Sequence, residues 1–204
     1  MLSQVEAGMK GFTDIELAKR FLDVIEFNII PLTEIGVARG DKIFGAAILR
    51  KDDLSLVIAE TNQETQNPLF HGEISTLNGY FTLPREQRPS PRDCLFLSTH
   101  EPCSLCLSAI TWSGFDNFYY LYGYIDTRDA FHIPHDLKIL SEVFRIQNGN
   151  YSRKNHYWKC HSIDELSTGM ENKLGSQRKR IDESYSRLSS IYQDSEGHDH
   201  IPLS

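Results

Sequence analysis

The stretch DIELAKRFLDVIEFNIIPL places Ile15, Leu17, Phe21, Leu22, Ile25 and Ile29 mostly three or four positions apart, the period of an amphipathic helix. Thr13 or Asp14 can cap its start, and Pro31 predicts a break. KIFGAAIL and LSLVIAE are apolar runs of strand length joined by the polar turn RKDD, the pattern of a β-hairpin. After the polar loop TNQETQNP, FHGEISTLNGYFTL reads as a helix, and PREQRPSPRD as a loop. CLFLST follows as a buried strand, PCSLCLSAITWSG as a helix closed by Gly114, and NFYYLYGY as an aromatic strand. HIPHDLKILSEVFRI predicts another helix, and Ile181, Tyr185, Leu188 and Tyr192 fit one helical stripe further on. This order of elements predicts an α/β protein: a three-layer α/β/α domain with a central mixed sheet of about five strands. The domain is expected over residues 1–160, a helical extension over 161–193, and an unstructured tail over 194–204, where DSEGHDHIPLS has no period.

Composition adds little to this picture. At 204 residues, 40% hydrophobic and 24% charged, the chain has the make-up of an ordinary globular domain. The formal charge of −7 opposes long nucleic acids unless basic residues gather on one face, and so favours a small substrate. No apolar stretch approaches the roughly 20 residues of a membrane span, and the N-terminus lacks a basic segment followed by an apolar run. The expectation is a cytoplasmic protein.

The cysteines bring in chemistry. Cys103 and Cys106 form a CxxC pair, a metal or redox arrangement in a reducing compartment, whereas Cys94 and Cys160 stand singly in apolar surroundings and read as packing thiols. His71-Gly72-Glu73 precedes Pro102-Cys103-Ser104-Leu105-Cys106. A zinc ribbon would need a second CxxC, and a thioredoxin-type pair would leave His71 and Glu73 without a role. The joint pattern H-x-E followed by P-C-x-x-C is the signature of zinc-dependent deaminases. One His and two Cys leave a fourth tetrahedral position for water, as a catalytic zinc requires. Pro102 suits the first turn of a helix, from which Cys103 and Cys106, three apart, reach one ion. His71 and Glu73, two apart, diverge on a regular helix and converge only if His71 sits at an irregular helix start. Zinc lowers the pKa of water from about 15.7 towards 7, and Glu73 would take the released proton to a ring nitrogen and then to the departing amine.

Over Ile43 to Tyr124 these motifs resemble the cytidine deaminase superfamily. HGEISTL looks most like fungal-type cytosine deaminase. PCSLCLSAI is similar to that enzyme and equally to guanine and tRNA adenosine deaminases, and Glu101 before Pro102 follows the latter two. The resemblance implies one zinc ion per chain on His71, Cys103 and Cys106, with Glu73 as proton shuttle. It also implies substrate contacts from Asn62 and from the backbone N–H groups of Gly72 and Cys103. Phe131 and Trp158 are candidates for aromatic residues that close over the base, with core packing as the competing reading.

The function that follows is hydrolytic deamination of a free nucleobase or nucleoside, cytosine- or guanine-like, with release of ammonia. The alternatives are a tRNA adenosine deaminase, for which QRKR would touch phosphates, and a catalytically silent zinc-binding partner subunit, which would be expected to lack Glu73. By resemblance the protein is a homodimer, and FDNFYYLYGY could supply the interface or simply be buried sheet.

Overall fold

The computed structural model describes residues 11–168, 171–195 and 201–203. Helix α1 (Asp14–Val24) opens with a capping box in which Thr13 and Glu16 satisfy each other's backbone N–H groups. The predicted break at Pro31 does not occur. The helix widens into a π-type turn over Ile25–Ile29 and continues as α2 (Ile30–Val37), with Pro31 in its first turn. Pro31 has no N–H to give and its ring needs room in the preceding turn. The wider turn supplies that room and keeps the apolar face continuous.

The hairpin forms as predicted from β1 (Gly45–Arg50) and β2 (Leu56–Thr61). Helix α3 (Gly72–Thr82), strand β3 (Cys94–His100), helix α4 (Ser104–Trp112) and strand β4 (Asn117–Tyr122) follow. Short helices α5 (Tyr124–Asp129) and α6 (His135–Glu142) lead to a fifth strand, β5 (Lys159–Ser162). The chain goes on through α7 (Ile163–Ser167) and the long α8 (Glu171–Asp194). Strand order is β2-β1-β3-β4-β5. β1 runs antiparallel to β2 and β3, while β3, β4 and β5 are parallel, so the sheet is mixed.

Strand alternation sends neighbouring residues to opposite faces. Ala47, Leu49, Leu95, Leu97, Tyr119 and Leu121 meet α1, α2, α7 and α8 on one side. Ala46, Ile48, Phe96, Phe118 and Tyr120 meet α3 and α4 on the other. These are the two outer layers of an α/β/α fold. The stripe predicted on the last helix is fully part of the core, since Ile181, Tyr185, Leu188 and Tyr192 are each at most 2% exposed. Burial of that kind contributes about 1.5–3 kcal/mol per large side chain, so α8 is one wall of the sandwich. Residues 201–203 also differ from the expected unstructured tail: they form a turn, and Ile201 is buried because its apolar side chain packs into a cavity described below. His198 and His200 lie outside the described residues.

The aromatic strand β4 is buried along its whole length between β3 and β5, which leaves it unable to serve as a subunit interface. Cys94 and Cys160 are free and buried, as packing thiols should be. No helix among the described residues is long and apolar enough to cross a membrane.

One backbone contact fixes where α3 begins. A Cβ on Gly72 would lie 2.7 Å from Gly45 Cα and 2.9 Å from Gly45 N, and a Cβ on Gly45 would lie 2.4 Å from Ile29 Cγ2. Gly72 lets the helix start rest directly on β1, and Gly45 lets Ile29 pack closely on the same strand. Gly72→Ala should therefore cost about 1–3 kcal/mol, the usual range for an overpacked site, measured as a lower urea midpoint at unchanged slope. It should also weaken metal binding, because His71 is the adjacent residue.

Candidate active site

His71 is the N-cap of α3, with extended backbone (φ −61°, ψ 160°). That is the irregular start that lets its ring and the Glu73 carboxylate turn to the same side. Cys103 is likewise the N-cap of α4 (φ −64°, ψ 173°), so the helix begins two residues later than it would with Pro102 as its first residue. Cys106 lies one turn on. Cys103 Sγ is 3.5 Å from His71 Nδ1, Cys106 Sγ is 3.7 Å from the same atom, and the two sulfurs are 3.6 Å apart.

Those distances test the fit to a metal. Zinc bonds of about 2.3 Å to sulfur and 2.0–2.1 Å to nitrogen at tetrahedral angles place two sulfurs about 3.8 Å apart and a sulfur and nitrogen about 3.6 Å apart. The three side chains thus have the spacing that one face of a zinc tetrahedron would need. Two sulfurs and an imidazole are also the donor chemistry zinc selects over magnesium or calcium.

Glu73 is wholly enclosed beside them. Ser98 on β3 donates to its Oε1 at 2.9 Å, and Cys106 Sγ lies 3.3 Å from its Oε2. Burial raises its carboxyl above the usual range, and the Cys103 charge adds to this, while His71 and Ser98 oppose it. Among the thiols, a hydrogen bond from Cys106 holds Cys103 well below its ordinary value against burial, and burial pushes Cys106 well above. Burial pulls His71 down, but its hydrogen bond to Cys103 and the charges of Cys103, Glu64 and Glu73 carry it to about 9. The cluster therefore holds protons that a cation displaces.

Residues 34–122, which contain all three donors and Glu73, match the family described as the cytidine and deoxycytidylate deaminase zinc-binding region. That stretch is similar to the zinc-binding region of this deaminase family. Solved structures of the same fold include guanine deaminase from Nitrosomonas europaea, with TM-score 0.52 and 15% identity over 93% of this chain and 100% of that one. Guanine deaminase from Bacillus subtilis gives 0.50 and 21% over 79% and 92%. A mutant of the protein NE0047 in complex with 8-azaguanine gives 0.53 and 15% over 92% and 98%. At such identities the likeness is one of fold. No curated protein sequence matches the chain.

A cavity of about 400 Å³ opens beside His71 and Cys103. His71 and Cys103 form part of its wall with Phe44, Leu69, Ile133 and Ile139, and Ile201–Leu203 close one side. Asn62 and Gly72 do not line it. Asn62 is fully buried, its Oδ1 accepting the Gly72 N–H at 2.5 Å and its Nδ2 donating to Glu64 at 2.8 Å. Phe131 and Trp158 are core residues: Phe131 packs among His100, Tyr122 and Tyr185, and Trp158 against Phe118 with its Nε1 on Thr111. Glu101 is a buried anchor away from the cavity, accepting from the Tyr124 N–H, Tyr151 and Arg153.

Four polar residues near the centre escaped the sequence reading. Ser98 lay unmarked in a strand, and Lys42 and Glu64 lay in or beside loops. Asp136 sat inside what looked like a plain helix start. Asp136 lines the cavity, where burial and then the Cys103 charge push its carboxyl well above the ordinary range. Nothing in their spacing links them to the motifs; only the fold does.

Since His71 is protonated up to about 9 and must lose that proton to bind metal, zinc affinity of the stripped protein should rise with pH. Between pH 6 and 8 the rise should be at least about tenfold per unit, one proton displaced per ion setting the lower limit. Competition with a calibrated chelator at several pH values checks this, and a flat profile would contradict it.

Proposed function

We propose that the protein is a zinc-dependent hydrolytic deaminase of a free nucleobase or nucleoside, cytosine- or guanine-like, releasing ammonia. The observation that carries this reading is the enclosed Glu73 carboxylate, held by Ser98 on one oxygen and reaching the donor triangle with the other. His71, Cys103 and Cys106 would hold the zinc. When bound it lowers the pKa of water so that a nucleophile is available at neutral pH. Glu73 takes the proton released as the water oxygen bonds to the carbon bearing the amine, and passes it to the adjacent ring nitrogen. It then takes the remaining proton from the added hydroxyl as the C=O bond forms and delivers it to the amine as the C–N bond breaks and ammonia leaves. A carboxyl raised by burial suits both halves of that cycle.

The cavity is of the size and apolar character of small-molecule sites. Asp136 in its wall would accept hydrogen bonds from the ring N–H or amino edge of such a base, and Cys103 in the same wall would offer its backbone N–H; Asn62 and the Gly72 N–H would contact the base only by giving up their bond to each other. Guanine deaminase neighbours support a purine-like ligand as one choice. The tRNA alternative gains nothing from QRKR. Arg178 is paired with Asp164 and Asp182, Arg180 with Glu26, and Lys179 with Glu183, so these cations are turned to carboxylates of the same molecule. The silent-subunit alternative is disfavoured because Glu73 is present and in reach. A homodimer remains part of the proposal on a different surface: Trp112 is 91% exposed and Leu105 lies seven residues earlier on the same face of α4.

Purified protein should release ammonia from at least one member of a panel of pyrimidine and purine bases and nucleosides. Glu73→Ala should reduce kcat by about 10²–10⁴-fold or more while zinc content stays at one per chain; full activity in that variant would refute the mechanism. Trp112→Glu should shift light-scattering mass from dimer to monomer without lowering the melting temperature, and a monomeric wild type would remove the dimer from the proposal.

A further inference from the structure

Glu64 belongs to neither motif, yet it is the carboxylate that faces the outer edge of the metal site. We infer that Glu64 is a positioning residue: it keeps the His71 ring proton on Nε2 and so leaves Nδ1 as the donor toward the two sulfurs. The inference rests on the zinc deaminase reading above and adds to it a residue that reading does not use.

The geometry is specific about which nitrogen does what. His71 Nδ1 points to Cys103 and Cys106 at 3.5 and 3.7 Å, and His71 Nε2 lies 3.6 Å from Glu64 Oε1. A neutral imidazole that binds metal through one nitrogen carries its proton on the other, and an acceptor at that second nitrogen selects the tautomer and the ring plane. At 3.6 Å the contact is a charge–dipole interaction rather than a formed hydrogen bond, but Glu64 is 3% exposed and water does little to screen it. Its other oxygen accepts Asn62 Nδ2 at 2.8 Å, and Asn62 Oδ1 accepts the Gly72 N–H at 2.5 Å. One carboxylate therefore acts on the His71 side chain directly and on the following peptide through Asn62.

Lys42 holds Glu64 in place, with Nζ donating to Oε1 at 3.0 Å and its backbone N–H to Oε2 at 3.3 Å. The loop backbone is also held by bonds that do not involve this pair. Asn62 N–H already bonds Phe44 O, Gln63 N–H bonds Phe70 O, and Thr65 N–H bonds Asp41 Oδ1. A buried ion pair is not a favoured way to gain stability, because well-packed apolar residues of similar volume are commonly as good or better. A charge kept at this position under those conditions points to the imidazole it faces.

The test uses the full chain as wild type, as Glu64→Gln, and as the double variant Lys42→Met/Glu64→Leu, which removes both charges and retains volume. Zinc affinity is read by chelator competition, and the His71 tautomer by ¹⁵N-histidine NMR of the zinc-loaded protein. Glu64→Gln should lose zinc affinity by about 10–100-fold, the usual cost of removing a ligand's outer partner, and should shift the His71 Nε2–H resonance. The double variant leaves Asn62 Nδ2 and the Lys42 N–H without Glu64 and should melt somewhat lower than wild type, but read below its melting transition it should show the same loss of zinc affinity, so it decides the matter if Glu64→Gln folds poorly. Wild-type affinity and an unchanged Nε2–H resonance in the double variant would overturn the inference while leaving the deaminase reading intact. Failure of the wild type to bind zinc would overturn both.

Discussion

The site depends on the absence of two side chains. Gly72 and Gly45 touch through their backbones, with Ile29 closing on Gly45 from the opposite face of the sheet. This contact sets the height of α3 above β1. Raising the helix start by even a methyl group would carry His71 away from the sulfurs at the start of α4, which is anchored separately at the end of β3. The three donors come from two helix beginnings that share no local sequence, so their 3.5–3.7 Å triangle is a product of sheet packing. Asn62 reinforces the arrangement by taking the Gly72 N–H, a donor that the first turn of a helix would otherwise leave unused.

The surroundings are electrostatically lopsided. Two thiol groups, Glu73, Glu64 and Asp136 gather around this centre, and Lys42 and the protonated His71 are cations that line the same cavity. Buried anionic groups at that density are tolerable only when protonated or when a cation of higher charge joins them. This accounts for the opposite shifts of Cys103 and Cys106: the protein groups divide protons between them because together they cannot all be ionised.

Much of this was legible in the chain. The three-and-four spacing from Ile15 to Ile29, the hairpin runs and the two motifs each carry a local signal, and each predicted element formed. The π-type turn ahead of Pro31 was not legible, because a proline in an apolar run ordinarily ends a helix and only packing of the continuous face against the sheet keeps it going. β5 was missed for a different reason. Lys159, Cys160, His161 and Ser162 show no apolar alternation, and their strand exists because β4 offers an open edge. Ser98, Glu64, Lys42 and Asp136 are single polar residues whose meaning is entirely tertiary.

The cavity is assembled from parts of unequal permanence. His71 and Cys103 sit on helices locked to the sheet, whereas Ile201–Leu203 lend only apolar surface and lie far in sequence from the motifs. Changes in that short stretch can redraw the shape offered to a ligand without disturbing the metal donors. Residues that shape the cavity and residues that form the donor triangle can thereby change independently of each other.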